Sequence, residues 1–331
     1  MKKHAMPGTR KKKKITRAQL RNGVRFLAAT SQNMVDTIFN RQNDEFLLRC
    51  QVAQRREYSR AKKVARIKAI FTLGFAVISI IASALNIDLL SALSSLLAVI
   101  LIVFNKYSDT YIISHKKHAA SVQQYIDVTL YSAVLGGNTS EWGDIPSKTD
   151  LANSVSDISD ADTSDLKNWY SDYSSLPEES QVFHCQRENI RWDYGLHKMF
   201  IHLQLILLGI VVLIMGIAFF VVNPDFIKLI CVLSWFMPVG DYLFSIYKEI
   251  KGSITLLRNL ESFCKEIDKK LQTGTPRTIK QDLIKLQYKI RERRELGYLI
   301  PDWFYQRHRK RQQQKEDKFA DTITYLSKKE R

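Results

Sequence analysis

Four short segments of this 331-residue chain carry residue types that together could hold a nucleotide. Arg41-Gln42-Asn43 is followed by Gln54-Arg55 and Tyr58. Lys167-Asn168-Trp169-Tyr170 comes next, then the run Cys185-Gln186-Arg187-Glu188-Asn189-Ile190-Arg191-Trp192-Asp193. The last is Ile300-Pro301-Asp302-Trp303-Phe304-Tyr305. A guanidinium fork grips phosphate, a carboxamide reads a base edge, and an aromatic ring stacks on a base. The same residues can also pack a helix bundle, with Trp and Tyr as anchors and Arg paired to Asp. Composition leaves both readings open.

Chemistry beyond binding finds no such support. There is no phosphate-binding glycine loop, and Lys251-Gly252-Ser253 lacks the preceding glycine such a loop needs. His115 and His118 flank two lysines on a helical pattern, which reads as a solvated face. His184-Cys185 has no companions at metal spacing. The four cysteines are too dispersed for a disulfide scaffold, and none has a nameable activating base. The expectation is therefore a binding protein: not an enzyme, with no metal and no cofactor.

The elements that must position these segments are set by charge and hydropathy. The net charge of +17 points to an anionic partner: lipid headgroups, nucleic acid or nucleotide. Residues 1–68 carry a net +15, residues 106–197 a net −7, and residues 248–331 a net +10. Four apolar runs lie between these blocks: Ala69–Leu85, Leu89–Asn105, Phe200–Val222 and Phe226–Tyr247. Asn86-Ile87-Asp88 separates the first pair, and Asn223-Pro224-Asp225 the second. Each run is near the length of a spanning helix. The fold class read from this is an all-α membrane protein with two transmembrane hairpins. Its helical cytoplasmic domain is assembled from the N-terminal, central and C-terminal segments.

An even number of spans puts both termini on one side. Arg55, Arg56, Arg60, Lys62, Lys63, Arg66 and Lys68 before the first span make that side the cytoplasm. The expected organisation is a basic tail over 1–15, a helical segment over 16–68, and the first hairpin over 69–105. Cytoplasmic helices follow over 106–199, with an acidic, Ser/Asp-rich insert at 138–180 read as an exposed loop or a partly disordered insert. The second hairpin covers 200–247 and a helical C-terminal region 248–331. Within that region Pro276 opens a helix, Gly297 ends it, and a last helix follows Pro301.

Polar residues recur within the spans. In the fourth, Ser234, Pro238, Asp241, Ser245 and Lys248 share a helical face. Asp241 lies six residues inside the cytoplasmic end, about 9 Å deep at ~1.5 Å per residue. An ionisable residue there needs a partner, water or a function. His202 is a possible partner, given a shift of register. Close helix packing explains such stripes, and so does a water-lined path. One four-span chain is too thin to enclose a wide path, so a pore implies several copies.

Taken in order, these segments resemble the four-transmembrane effector family associated with SMODS nucleotidyltransferases in bacterial antiphage defence. The matching pieces are Arg41-Gln42-Asn43, Ala53-Gln54-Arg55-Arg56-Glu57-Tyr58, Leu166 to Tyr170, Cys185 to Asp193, and Leu299 to Trp303 with Tyr305. The resemblance implies a partner enzyme that makes a cyclic oligonucleotide on infection. It implies an effector that binds this messenger, forms a homo-oligomer and permeabilises the bacterial inner membrane, causing abortive infection. The ligand-binding set it suggests is Arg41, Gln42, Asn43, Gln54, Arg55, Tyr58, Trp169, Gln186, Arg187, Asn189, Trp192, Asp193 and Trp303. Ser234, Asp241, Ser245 and His202 would line or gate the path. The alternative is a non-conducting scaffold that recruits protein or nucleic acid through its basic ends.

Overall fold

The computed structural model describes residues 37–329, apart from 85–87, 138, 159–162, 164–165, 222–225 and 274–275. Within 79–99 and 221–238 no side chain is described. The described residues form eight α-helices and no strand. They are α1 (Ile38–Arg41), α2 (Glu45–Ala84), α3 (Asp88–Leu135), α4 (Lys148–Val155), α5 (Glu178–Val221), α6 (Phe226–Thr273), α7 (Pro276–Leu296) and α8 (Asp302–Lys329). The basic tail, residues 16–36 of the expected N-terminal helical segment, and the Asn223-Pro224-Asp225 turn lie outside the described residues.

Helix ends follow local chemistry. Asp44 caps α2, its Oδ1 accepting from the N–H groups of Phe46 (2.9 Å) and Leu47 (3.1 Å). The chain turns at Gln42–Asp44, which separates the short α1 from α2, and α2 then runs on into the first apolar stretch. α3 runs 48 residues and stops at Gly136-Gly137, whose φ angles of 67° and 88° suit glycine. α7 starts at Pro276, whose missing N–H costs nothing in a first turn. It ends where the Gly297 N–H reaches the Arg293 carbonyl (2.7 Å). α8 follows Pro301.

The long helices pair as two antiparallel hairpins, α2 with α3 and α5 with α6. α7 lies against α3, α5 and α6, and α8 lies along α5. A large apolar core joins Leu48, Val122, Leu130, Phe183, Leu257, Ile267 and Leu283 away from the spans. A smaller cluster of Leu196, Phe200, Ile250, Ile254, Ile300 and Phe304 sits where α5 and α6 enter their apolar stretches. Each such buried side chain contributes about 1.5–3 kcal/mol.

Among its described residues, the acidic insert is not the exposed loop its composition suggests. A 3₁₀ turn at Thr139–Trp142 buries Trp142, and α4 buries Leu151 and Val155. Ile158, Leu166, Tyr170, Tyr173 and Leu176 are also buried in the large core. Their spacing has no helical or strand period, so the apolar signal is diluted among Ser and Asp.

One described helix is long and apolar enough to cross a membrane, over Glu178–Ile217 within α5. Only 11% of its apolar window is buried. Exposed apolar side chains also occur at Ile70, Phe71, Val77 and Ile78 on α2, and at Ile100, Ile102 and Val103 on α3.

Candidate functional site

Two adjacent amides bring distant segments together. Gln42 donates from Nε2 to the Tyr170 carbonyl (3.2 Å) and accepts the Tyr170 N–H at Oε1 (2.7 Å). Asn43 donates to Asn168 Oδ1 (2.9 Å) and accepts the Asn168 N–H (2.9 Å). Asn168 has a φ of 54°, a left-handed conformation that Asn tolerates better than most residues. The clamp fixes the backbone on both sides of Trp169 and turns that indole toward α2.

There Trp169 closes a small, half-open cleft of about 20 Å³ with Gln51, Gln54 and Arg55 of α2 and Gln123 and Asp127 of α3. The Arg55 guanidinium carbon is 5.8 Å from the centre of the Trp169 ring. Gln51 is 92% buried, with a side-chain oxygen that meets no donor among the described residues. The walls therefore offer a cation, several amides and one aromatic face, the set that grips a phosphate and a base.

The cleft floor is a buried polar network centred on Asp127. Its carboxylate accepts from Tyr170 Oη (2.9 Å), Gln287 Nε2 (2.8 Å) and Arg294 Nη1 (2.6 Å). Gln287 also donates to Gln124 Oε1 (2.9 Å) and accepts from Gln186 Nε2 (3.1 Å). Asn189 donates to Tyr170 Oη (2.8 Å). Burial drives the Tyr170 hydroxyl far above its usual range, and the nearby Asp127 charge adds to it while Arg294 opposes. Tyr170 is thus a fixed neutral donor.

A second group continues along the same face of α2. Burial raises Tyr58 to about 12, partly offset by Arg294 and Arg293. Asp193 is ion-paired with Arg293. Trp192 faces Tyr305 with ring centres 6.3 Å apart, and its buried indole N–H finds no acceptor among the described residues. Burial also raises Tyr305, against the pull of Arg309 and Arg55. Arg55 thus lies between the Trp169 cleft and the Trp192–Tyr305 pair.

Other candidates go elsewhere. Arg187 is held by Asp268 (3.1 Å) and Glu261 (3.3 Å) of α6, away from the cleft. Gln186 is wholly buried and donates to the Leu283 carbonyl (3.0 Å). Arg41 is half-buried on α1. Trp303 is 60% exposed. Asp241 and Ser245 are exposed on α6, and the Ser234 side chain lies outside the described residues. His202 is exposed, with Nδ1 on the Lys198 carbonyl (2.5 Å), and no contact with Asp241 occurs among the described residues. Sequence reading missed Gln51, Gln123, Asp127, Arg293 and Arg294. The Arg pair reads as a basic helix end, and only the alignment of Gln123, Gln124 and Asp127 within α3 hinted at a polar seam.

A family model described as the SMODS-associating 4TM effector domain matches residues 36–323. Neither curated proteins nor solved structures yield a match.

Proposed function

This chain belongs to the SMODS-associating 4TM effector domain family, and on that premise we propose that it binds a cyclic oligonucleotide and permeabilises the membrane in response. The family makes it a membrane effector of SMODS-associated defence, working beside an enzyme that generates cyclic oligonucleotides. The observation that carries the finer reading is the convergence of Arg55, Gln54 and Trp169 on one cleft, with the unmet oxygen of Gln51 among them. In this reading Arg55 takes a phosphate of the messenger, Trp169 stacks on a base, and Gln51 and Gln54 read its edge. Tyr58, Trp192 and Tyr305 extend the same surface for the next unit of the ligand.

The cleft acts by binding alone, without catalysis. Arg55 lies 14 residues before Ala69 on the unbroken α2, about 21 Å at ~1.5 Å per residue. α3 likewise runs without a break from Asp127 back to its apolar stretch. A ligand that favours one relative position of α2 and α3 at the cleft therefore favours it in the spans. It opens the protein only by binding that arrangement more tightly. The spans number four, both termini face the cytoplasm, and several copies assemble in the inner membrane to form the path. Asp241, Ser245 and Ser234 on α6 would line it.

The test is dye release from liposomes holding the full-length protein, titrated with cyclic dinucleotides and trinucleotides. Release by one of them, lost in Arg55→Ala with the protein still inserted, supports the proposal. Tight binding without release would favour the non-conducting scaffold. Unchanged release from Arg55→Ala would move the site off this cleft.

A further inference from the structure

We propose that the first turn of α8, centred on Trp303, is a foot that rests in the headgroup layer of an anionic phospholipid bilayer. Trp303 is 60% exposed, while its neighbour Phe304 is buried and packs on Phe200 with ring centres 5.0 Å apart. That contact fixes the depth of the turn. Exposed apolar surface on α5 begins at Leu205, five residues beyond Phe200, or about 7.5 Å at ~1.5 Å per residue. The headgroup layer on each side of a bilayer is roughly 5–8 Å thick. An exposed indole at this height has its ring beside the top of the acyl chains and its N–H among the headgroups, the arrangement favoured at membrane interfaces.

The direction of α8 limits the contact to its beginning. Gln312 lies against Gly195, and Glu316 pairs with Arg191 (2.5 Å), so α8 runs antiparallel to α5 and climbs away from the spans. Charge at the foot fits an anionic surface. Asp302 is neutralised by Lys62 (2.6 Å). Arg66, one turn further down α2, and Arg307, one turn along α8 on the Trp303 face, are exposed. Each is attracted to such a surface. Tyr305, two residues on and about 200° around the helix at 3.6 residues per turn, faces Trp192 instead. The aromatics of this one segment thus divide between lipid and the interior.

This inference goes beyond the nucleotide reading and does not depend on it. Trp303→Phe and wild-type full-length protein would be reconstituted in vesicles of phosphatidylglycerol and phosphatidylcholine brominated near the top of the acyl chains. The difference in tryptophan emission reports on Trp303. The expected result is strong quenching of that difference signal, unaffected by added cyclic dinucleotide. Arg66→Gln/Arg307→Gln, which keeps the indole, should lose the stronger quenching that anionic over purely zwitterionic vesicles produce. An unquenched difference signal would overturn the proposal, as would unaltered lipid preference in the double variant. Shielding of Trp303 by nucleotide would also overturn it and return this residue to the ligand surface.

Discussion

The Asp127 network and the Trp169 cleft are built from the same residue types, touch each other, and serve opposite ends. In the network, Asp127 accepts from Gln287 and Arg294 and Gln287 donates to Gln124 in the protein interior, while Arg294 Nη2 and Gln186 Oε1 meet no partner among the described residues. In the cleft, Gln51 has an oxygen that meets no donor among the described residues, and Arg55 and Trp169 are half-buried. Polar groups that satisfy each other inside stabilise one arrangement, whereas those facing the cleft are the ones the proposed ligand would meet. Residue type does not distinguish the two; depth of burial does, since Asp127, Gln124, Gln287 and Arg294 are buried whereas Gln54, Arg55 and Trp169 are half-buried.

The comparison breaks most sharply at Asp127. Asp127→Ala leaves the Arg294 guanidinium buried without its carboxylate, and removing one partner of such a pair costs about 3–5 kcal/mol. Thermal unfolding in detergent should show that loss, and a drop below ~1 kcal/mol would make the network dispensable.

Glu188 tests the same boundary by pH. It is buried, accepts from the Ser171 N–H (3.2 Å) and hydroxyl, and burial raises it to about 7. A raised carboxyl stabilises the folded state fully below its unfolded value near 4.5, and that contribution is lost as pH rises toward 7. The loss is on the order of 3 kcal/mol at ~1.4 kcal/mol per unit. His184, which burial lowers to about 3, works in the opposite sense, losing stability as pH falls below 6.5. The difference between wild type and Glu188→Gln isolates the carboxyl: it should shift steadily from pH 4.5 to 7. A flat difference would mean Glu188 is not protonated in the fold.

On the cleft side, Trp169→Ala should weaken cyclic-nucleotide binding by about 1–3 kcal/mol, the value of one base stacked on an aromatic ring. Stability should change far less, since the indole is only half-buried. Calorimetric titration would show it, and unchanged affinity would remove Trp169 from the site. The smallest effect belongs to Arg187→Ala. Its partners Glu261 and Asp268 are partly exposed, so stability should fall by ~1 kcal/mol or less. Affinity should hold within about twofold, or ~0.4 kcal/mol. Loss of binding would mean that Arg187 leaves its carboxylates to meet the ligand.

Helix ends were legible because they are local. Gly136-Gly137, Pro276, Gly297 and Pro301 act through φ angles and missing donors, with no help from distant residues. The family was legible too, because the segments keep their order along the chain. The packing of the insert was not, since Trp142 and Tyr173 follow no period that betrays burial.

Residue type alone gave Arg55 and Arg187 equal standing, as it did Trp169 and Trp303. Burial and neighbours separated them. Arg187 found two carboxylates across α6, while Arg55 met Trp169, 114 residues away, because Gln42 and Asn43 hold the loop that carries it. The amino-acid order thus determined where helices start and stop and which family the chain joins, through interactions that span a few residues. Which polar groups close on one another and which stay open was decided only in the folded molecule, because a hydrogen bond depends on positions that long-range packing sets.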